Sequence, residues 1–221
     1  MSSNRWLLAT GVLLSSAIFA KEYPDYSPPN AKVEIDNPWV RVFRVNETAN
    51  QHMSTYRHPD MVWVYLTDAR LEFKGSGPPK IETHKAGEVS YLVAGAHSEA
   101  NLTGKPIEVV VIELKPNAPK SPPIRLDPVV LDRVHHPVLF ENSRVRVLHT
   151  ILEPHLKSPE HEHPHYVVVY LTELHTKMQL GDGRVVDNPR RPGEIAWRDA
   201  LKHVTEQVGD KTAEEIQVEI K

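Results

Sequence analysis

The densest cluster of chemistry-bearing residues is His161-Glu162-His163-Pro164-His165, in a chain of 221 residues with 13 histidines, nine of them from His135 onward. On an extended strand side chains alternate between faces, so His161 and His163 point the same way. Two neutral imidazoles projecting together can grip one divalent ion, and His203 can supply a third ligand from a facing strand. The same three rings could instead form the polar lining of a metal-free cavity, bonded to one another and to water. His165 shares the parity of the pair, but Pro164 disturbs the geometry and points to a supporting or rim role. Glu162 has the opposite parity, and no other carboxylate stands out as a general base. His135-His136 reads as a solvated turn.

The elements that must position these rings are set by an internal repeat. Val33-Glu-Ile-Asp-Asn-Pro-Trp-Val-Arg-Val-Phe43 aligns with Val138-Leu-Phe-Glu-Asn-Ser-Arg-Val-Arg-Val-Leu148 without a gap. The register then matches His58-Pro59 with His163-Pro164 and Val62–Thr67 with Val167–Thr172. After a one-residue insertion it continues through Gly87-Glu88 with Gly193-Glu194, His97 with His203, and Ile112–Lys115 with Val218–Lys221. The duplication divides the chain into units at 32–115 and 137–221, joined by a proline-rich linker over 116–136. An extended arm is expected over 21–31.

Each unit reads as short strands. Val62–Leu66 and Tyr166–Leu171 are nearly continuous apolar runs bounded by polar turns, the pattern of strands in a barrel or sandwich interior. Gly181-Asp182-Gly183 carries an Asp-Gly hairpin signal, and Gly75-Ser-Gly77 stands at the corresponding place. With 19 prolines, 10 glycines and no long helical pattern, the chain is expected to be all-β, each unit an antiparallel jelly roll.

The run Pro159–Thr172, with Pro192-Gly-Glu-Ile-Ala-Trp197 and His203, resembles the motifs of small exported bacterial cupins, and the resemblance covers nearly all of both units. It implies a bicupin: two tandem double-stranded β-helix domains. It also implies metal ligands at His161, His163 and His203, for Fe, Zn, Mn or Ni. The family's carboxylate ligand would fall at Val167 or Val168 and is missing. In the first unit Tyr56 replaces the first histidine of the pair, leaving His58 and His97 as a degenerate site, with the Gly95-x-His97-x-x-x-Asn101 half of the second motif retained. Cupins often pair through their sheets, so the resemblance also implies a homodimer.

Composition narrows the function classes. With 26 Lys+Arg against 29 Asp+Glu and no basic stripe, nucleic acid is not an expected partner. Absence of cysteine excludes disulfides and thiol chemistry. Residues 1–20, with Arg5, the apolar run from Trp6 and small residues before Lys21, read as a secretory signal peptide cleaved after Ala20, with Ala17 the alternative position. No membrane span is expected after cleavage, and the mature protein is expected in the periplasm or outside the cell. Two functions remain: a non-haem metal-dependent enzyme, dioxygenase-like, acting on a small molecule, or a non-catalytic, metal-free cupin that binds one.

Overall fold

The computed structural model describes residues 31–221; the expected signal peptide and the arm through Asn30 lie outside the described residues. The first unit contains β1 (Ala31–Asp36), β2 (Val40–Glu47), β3 (Tyr56–His58), β4 (Met61–Tyr65), β5 (Ala69–Lys74), β6 (Lys80–His84), β7 (Val89–Leu92), β8 (Gly95–Asn101) and β9 (Ile107–Leu114). A short helix α1 (Pro128–Leu131) precedes the second. There follow β10 (Val138–Glu141), β11 (Val145–Leu152), β12 (His161–His163), β13 (Tyr166–Tyr170), β14 (Leu174–Leu180), β15 (Val185–Arg190), β16 (Ile195–Arg198), β17 (Leu201–Gln207) and β18 (Ala213–Ile220).

Each unit is a jelly roll of one five-stranded and one four-stranded antiparallel sheet, and the two have the same topology. The orders β1-β2-β9-β4-β7 and β3-β8-β5-β6 recur as β10-β11-β18-β13-β16 and β12-β17-β14-β15. Tyr56 pairs with His97 as His161 pairs with His203, and His58 with Gly95 as His163 with Leu201. The duplicated histidines therefore occupy matching register positions. The Gly-Glu turn also recurs: Gly87 and Gly193 have φ of 87° and 79°, a left-handed conformation that glycine adopts without Cβ strain.

The apolar runs are explained by burial on both faces. In β4, Met61, Trp63 and Tyr65 point into their own barrel, while Val62 and Val64 point to the other unit. Fourteen buried side chains form one core between the five-stranded sheets: Val40, Val42, Val62, Val64, Val110, Ile112 and Leu114, and their seven counterparts Val145, Val147, Val167, Val169, Ile216, Val218 and Ile220. Each is worth about 1.5–3 kcal/mol relative to exposure. Polar bonds tie the rim, with Arg144 Nη1 donating to Asp60 Oδ2 at 3.1 Å across the units.

The linker departs from the extended chain expected of it at its C-terminal end. Asp127 caps α1 by accepting from Val129 N at 2.9 Å. The chain then runs antiparallel along β11, with Ile151 N donating to His135 O and His149 N to Pro137 O, both at 3.0 Å. His136 is thereby carried into the second barrel.

The two interiors differ. The first is filled by Phe43, Val45, Trp63, Leu71, Val109 and Val111, among others. At counterparts of Val45, Trp63, Val109 and Val111 the second holds Thr150, Val168, Glu215 and Gln217.

One acid is nevertheless buried in the first barrel. Glu47 is 1% exposed and its Oε2 has no partner. Burial, with the nearby charge of Glu99, pushes its carboxyl from 4.5 up to about 8. The native state therefore holds a proton that the unfolded chain has released, and stability falls as pH rises between 4.5 and about 8. Glu47→Gln is expected to flatten that decline and raise Tm by a few degrees at pH 8, read from thermal melts across pH. An unchanged pH profile would contradict this.

Candidate metal centre

β12 is three residues long, and its alternation turns His161 and His163 into the second barrel while Glu162 faces out. There Glu162 Oε2 accepts from Arg125 N at 2.6 Å and pins the linker. His203 comes from the neighbouring β17, directly opposite His161. His136 enters from the linker and is 2% exposed, not the solvated turn expected of it. Side-chain nitrogens of His136, His161 and His163, one from each, lie within 4.8 Å of one another, a group able to hold a metal ion.

Hydrogen bonding sets the tautomer of each ring. His136 Nδ1 faces Asp132 O at 3.1 Å and His161 Nδ1 faces Pro159 O at 2.8 Å. A carbonyl oxygen only accepts, so both Nδ1 atoms carry the proton. His163 Nδ1 donates to Glu219 Oε1 at 2.7 Å, and the other carboxylate oxygen accepts from Arg146 Nε at 2.5 Å. Arg146 reaches on to Asp127 Oδ2 at 2.8 Å. Each neutral ring is left with an Nε2 lone pair, and that of His163 is buried without a partner. Outward N–H groups fixed on carbonyls or carboxylates are the usual support of metal-ligating histidines.

Electrostatics keep the rings neutral. Burial, reinforced by the neighbouring imidazoles, holds His163 and His203 well below the ordinary histidine range. Burial and His161 lower His136 to about 4, and burial lowers His161 as well. Glu219 is pushed up by burial, which Arg146 opposes.

His203 adjoins the group. Its Nε2 is 2.9 Å from His161 Nε2, a contact bridged by one proton, and its Nδ1 is buried without a partner. His165 is not brought to the cluster: it packs 4.2 Å from Trp39 and 5.6 Å from Trp197, centroid to centroid. No spacing signal marked His136; its parity follows only from the extension of the chain along β11. Glu215 and Glu219 were missed because they lie on the last strand, far in sequence from the histidines. They are the interior carboxylates that the sequence reading did not find.

The first barrel satisfies its own histidines. His58 Nδ1 donates to Pro59 O at 2.7 Å, so its Nε2 accepts from His97 Nδ1 at 3.0 Å. His97 Nε2 and Glu99 Oε2, 2.7 Å apart, share a further proton, and Tyr56 donates to the same carboxylate oxygen at 3.0 Å. Every ring nitrogen of the pair is committed.

Beside the second-barrel cluster lies a cavity of about 30 Å³, lined by Thr150, Tyr170, Asn188, Arg198, Glu215 and Gln217 among others, room on the order of one or two water molecules.

No protein-family model matches the chain, and no curated protein does. Solved structures do. AerE from Microcystis aeruginosa superposes with a TM-score of 0.63 at 12% identity, over 88% of this chain and 98% of that one. A cupin 2 conserved barrel domain protein from Leptotrichia buccalis gives 0.56 at 13%, over 90% and 98%. A variant of the oxalate decarboxylase of Bacillus subtilis gives 0.56 at 11%, over 82% and 68%. These likenesses, with the strand order repeated in both barrels, show the fold: two tandem cupin-type jelly rolls.

Proposed function

We propose that this bicupin binds one divalent ion in its second barrel, through His136, His161 and His163 with His203 adjoining, and acts there on a small molecule as a non-haem metal-dependent enzyme. The carrying observation is the convergence of three buried, neutral imidazoles whose Nδ1 atoms are all committed outward. An all-imidazole donor set suits Fe, Ni or Zn, and Mn(II) is the metal of the oxalate decarboxylase among the similar structures. Bound there, the ion would supply Lewis-acid polarisation and positions open to substrate. The residues themselves exclude water from the rings, fix their tautomers and present a polar wall. The 2.9 Å contact between His203 and His161 favours a second reading, a metal-free binding protein in which the cluster satisfies itself.

Export accompanies this reading, on the strength of the segment preceding Lys21; the sequenced N-terminus of protein from the exported fraction should lie near Lys21, and an intact Met1 would contradict it. Among the described residues no helix is long and apolar enough to cross a membrane.

Titration of the chelator-stripped full chain with Co(II) or Zn(II) should give one ion per chain. His163→Ala and His161→Ala should abolish stoichiometric binding and His136→Ala weaken it at least about tenfold, while His58→Ala leaves it unchanged. Glu219→Gln should weaken affinity by about 10–100-fold, the usual effect of losing such a supporting carboxylate. Binding needs neutral rings, and these rings are held neutral below the ordinary 6.5, His136 down to about 4. Occupancy should therefore persist through pH 6.5 and fall in the window below it. Uptake that survives His163→Ala and vanishes with His58→Ala would overturn the assignment.

A further inference from the structure

The cavity beside the histidines differs from its duplicate in a consistent way. Leu92 of β7 stands opposite Met61 and packs on the first barrel's core, whereas Arg198 of β16 stands opposite Tyr166 at the matching position. Val45, Val109 and Val111 likewise correspond to Thr150, Glu215 and Gln217. Four apolar positions of one barrel are thus polar in the other, all lining one cavity.

A packed interior gains nothing from such groups unless they are satisfied, and here they are not. Arg198 Nη2 donates only to neutral groups, Asn188 Oδ1 at 2.8 Å and Tyr170 Oη at 3.3 Å. Gln217 Nε2 donates to Glu215 Oε1 at 2.6 Å, but Gln217 Oε1 is buried without a donor. Thr150 Oγ1, opposite Glu215, is also buried and unpartnered. The wall thus offers an interior guanidinium with no carboxylate hydrogen-bonded to it, an acceptor and a hydroxyl, beside the acid of Glu215, which burial pushes up to about 7.

We infer that the inner end of the second barrel is a recognition site for a small carboxylate, held by Arg198, with a hydroxyl of the same ligand meeting Gln217 Oε1 and Thr150. This rests on the reading of the second barrel as the working one and adds its substrate class: a short-chain hydroxy acid, for which the lining side chains would have to move apart, since the cavity as it stands has room on the order of one or two water molecules. Guanidinium planarity suits the carboxylate fork. Tyr170 and Asn188 hold the guanidinium in place. The first barrel, with Leu92, Val109 and Val111 at these places, has no such site.

The test is calorimetric titration of glycolate, acetate and acetamide into the full chain, both chelator-stripped and Co(II)-loaded. Glycolate should bind most tightly, acetate less so, and neutral acetamide at least about tenfold more weakly than acetate. Arg198→Gln should weaken glycolate at least about tenfold while leaving Co(II) stoichiometry unchanged, and Arg198→Lys, which keeps the charge without the fork, should fall between. Melting curves and Co(II) uptake report whether each variant is folded. Carboxylates that bind no better than acetamide, or that bind folded Arg198→Gln and Arg198→Lys as tightly as the parent, overturn the proposal. Arg198-dependent glycolate binding by a protein that takes up no Co(II) supports the carboxylate site and refutes the metal reading alone.

Discussion

The packing of one five-stranded sheet against its duplicate governs the molecule. Fourteen apolar side chains, seven matched pairs, meet across that plane, and because strand side chains alternate, the same strands are left with their other faces for two separate interiors. The constraint on the shared face is strict: a one-residue slip in β4 or β13 would drive Trp63 or Tyr166 into the interface and the valines into the barrels. The arrangement resembles an isologous dimer interface within one chain, each patch facing its own copy.

Fixing the fold on that face leaves the interiors free to diverge. In the first barrel Trp63 and a set of valines fill the space, and the remaining polar groups close on themselves: tyrosine, glutamate and two histidines pass hydrogen bonds in a line that ends on the Pro59 carbonyl. In the second, smaller and polar residues stand at the same places, a cavity survives, and His136, His161 and His163 bond outward by Nδ1. The distinction lies in where each ring's proton goes. His58 and His163 occupy the same register position, yet the Nε2 of His58 is taken by His97 while that of His163 is without a partner. Arg41 pairs in register with Glu113 as Arg146 does with Glu219, so the strand framework under both sites is retained.

Much of this was legible in the residues. Alternating and continuous apolar runs, the Asp-Gly turn and the gapless register of the repeat determine two jelly rolls, because backbone periodicity and burial are local properties of sequence. His161 and His163 were legible by parity, and His203 by its place in the repeat. His136 was not, because its burial depends on the chain after α1 lying along β11, a tertiary event with no marker in the local pattern. Glu219 and Glu215 escaped for a related reason: β18 carries acids on both faces, and only the sheet order shows that Glu215 and Glu219 face inward beside the histidines. His165 shares the parity of the pair, but after Pro164 the strand restarts and the ring turns toward Trp39 of the other unit.

The claim on which the functional reading stands is that three imidazoles in one barrel, and none in its duplicate, are set to hold an ion. Anomalous diffraction from crystals of the full chain grown with Co(II) tests this most directly. The expected result is a single peak in the second barrel, bonded to Nε2 of His136, His161 and His163 at about 2.0–2.2 Å. A peak between His58 and His97, or none beside His163 at neutral pH, would contradict it.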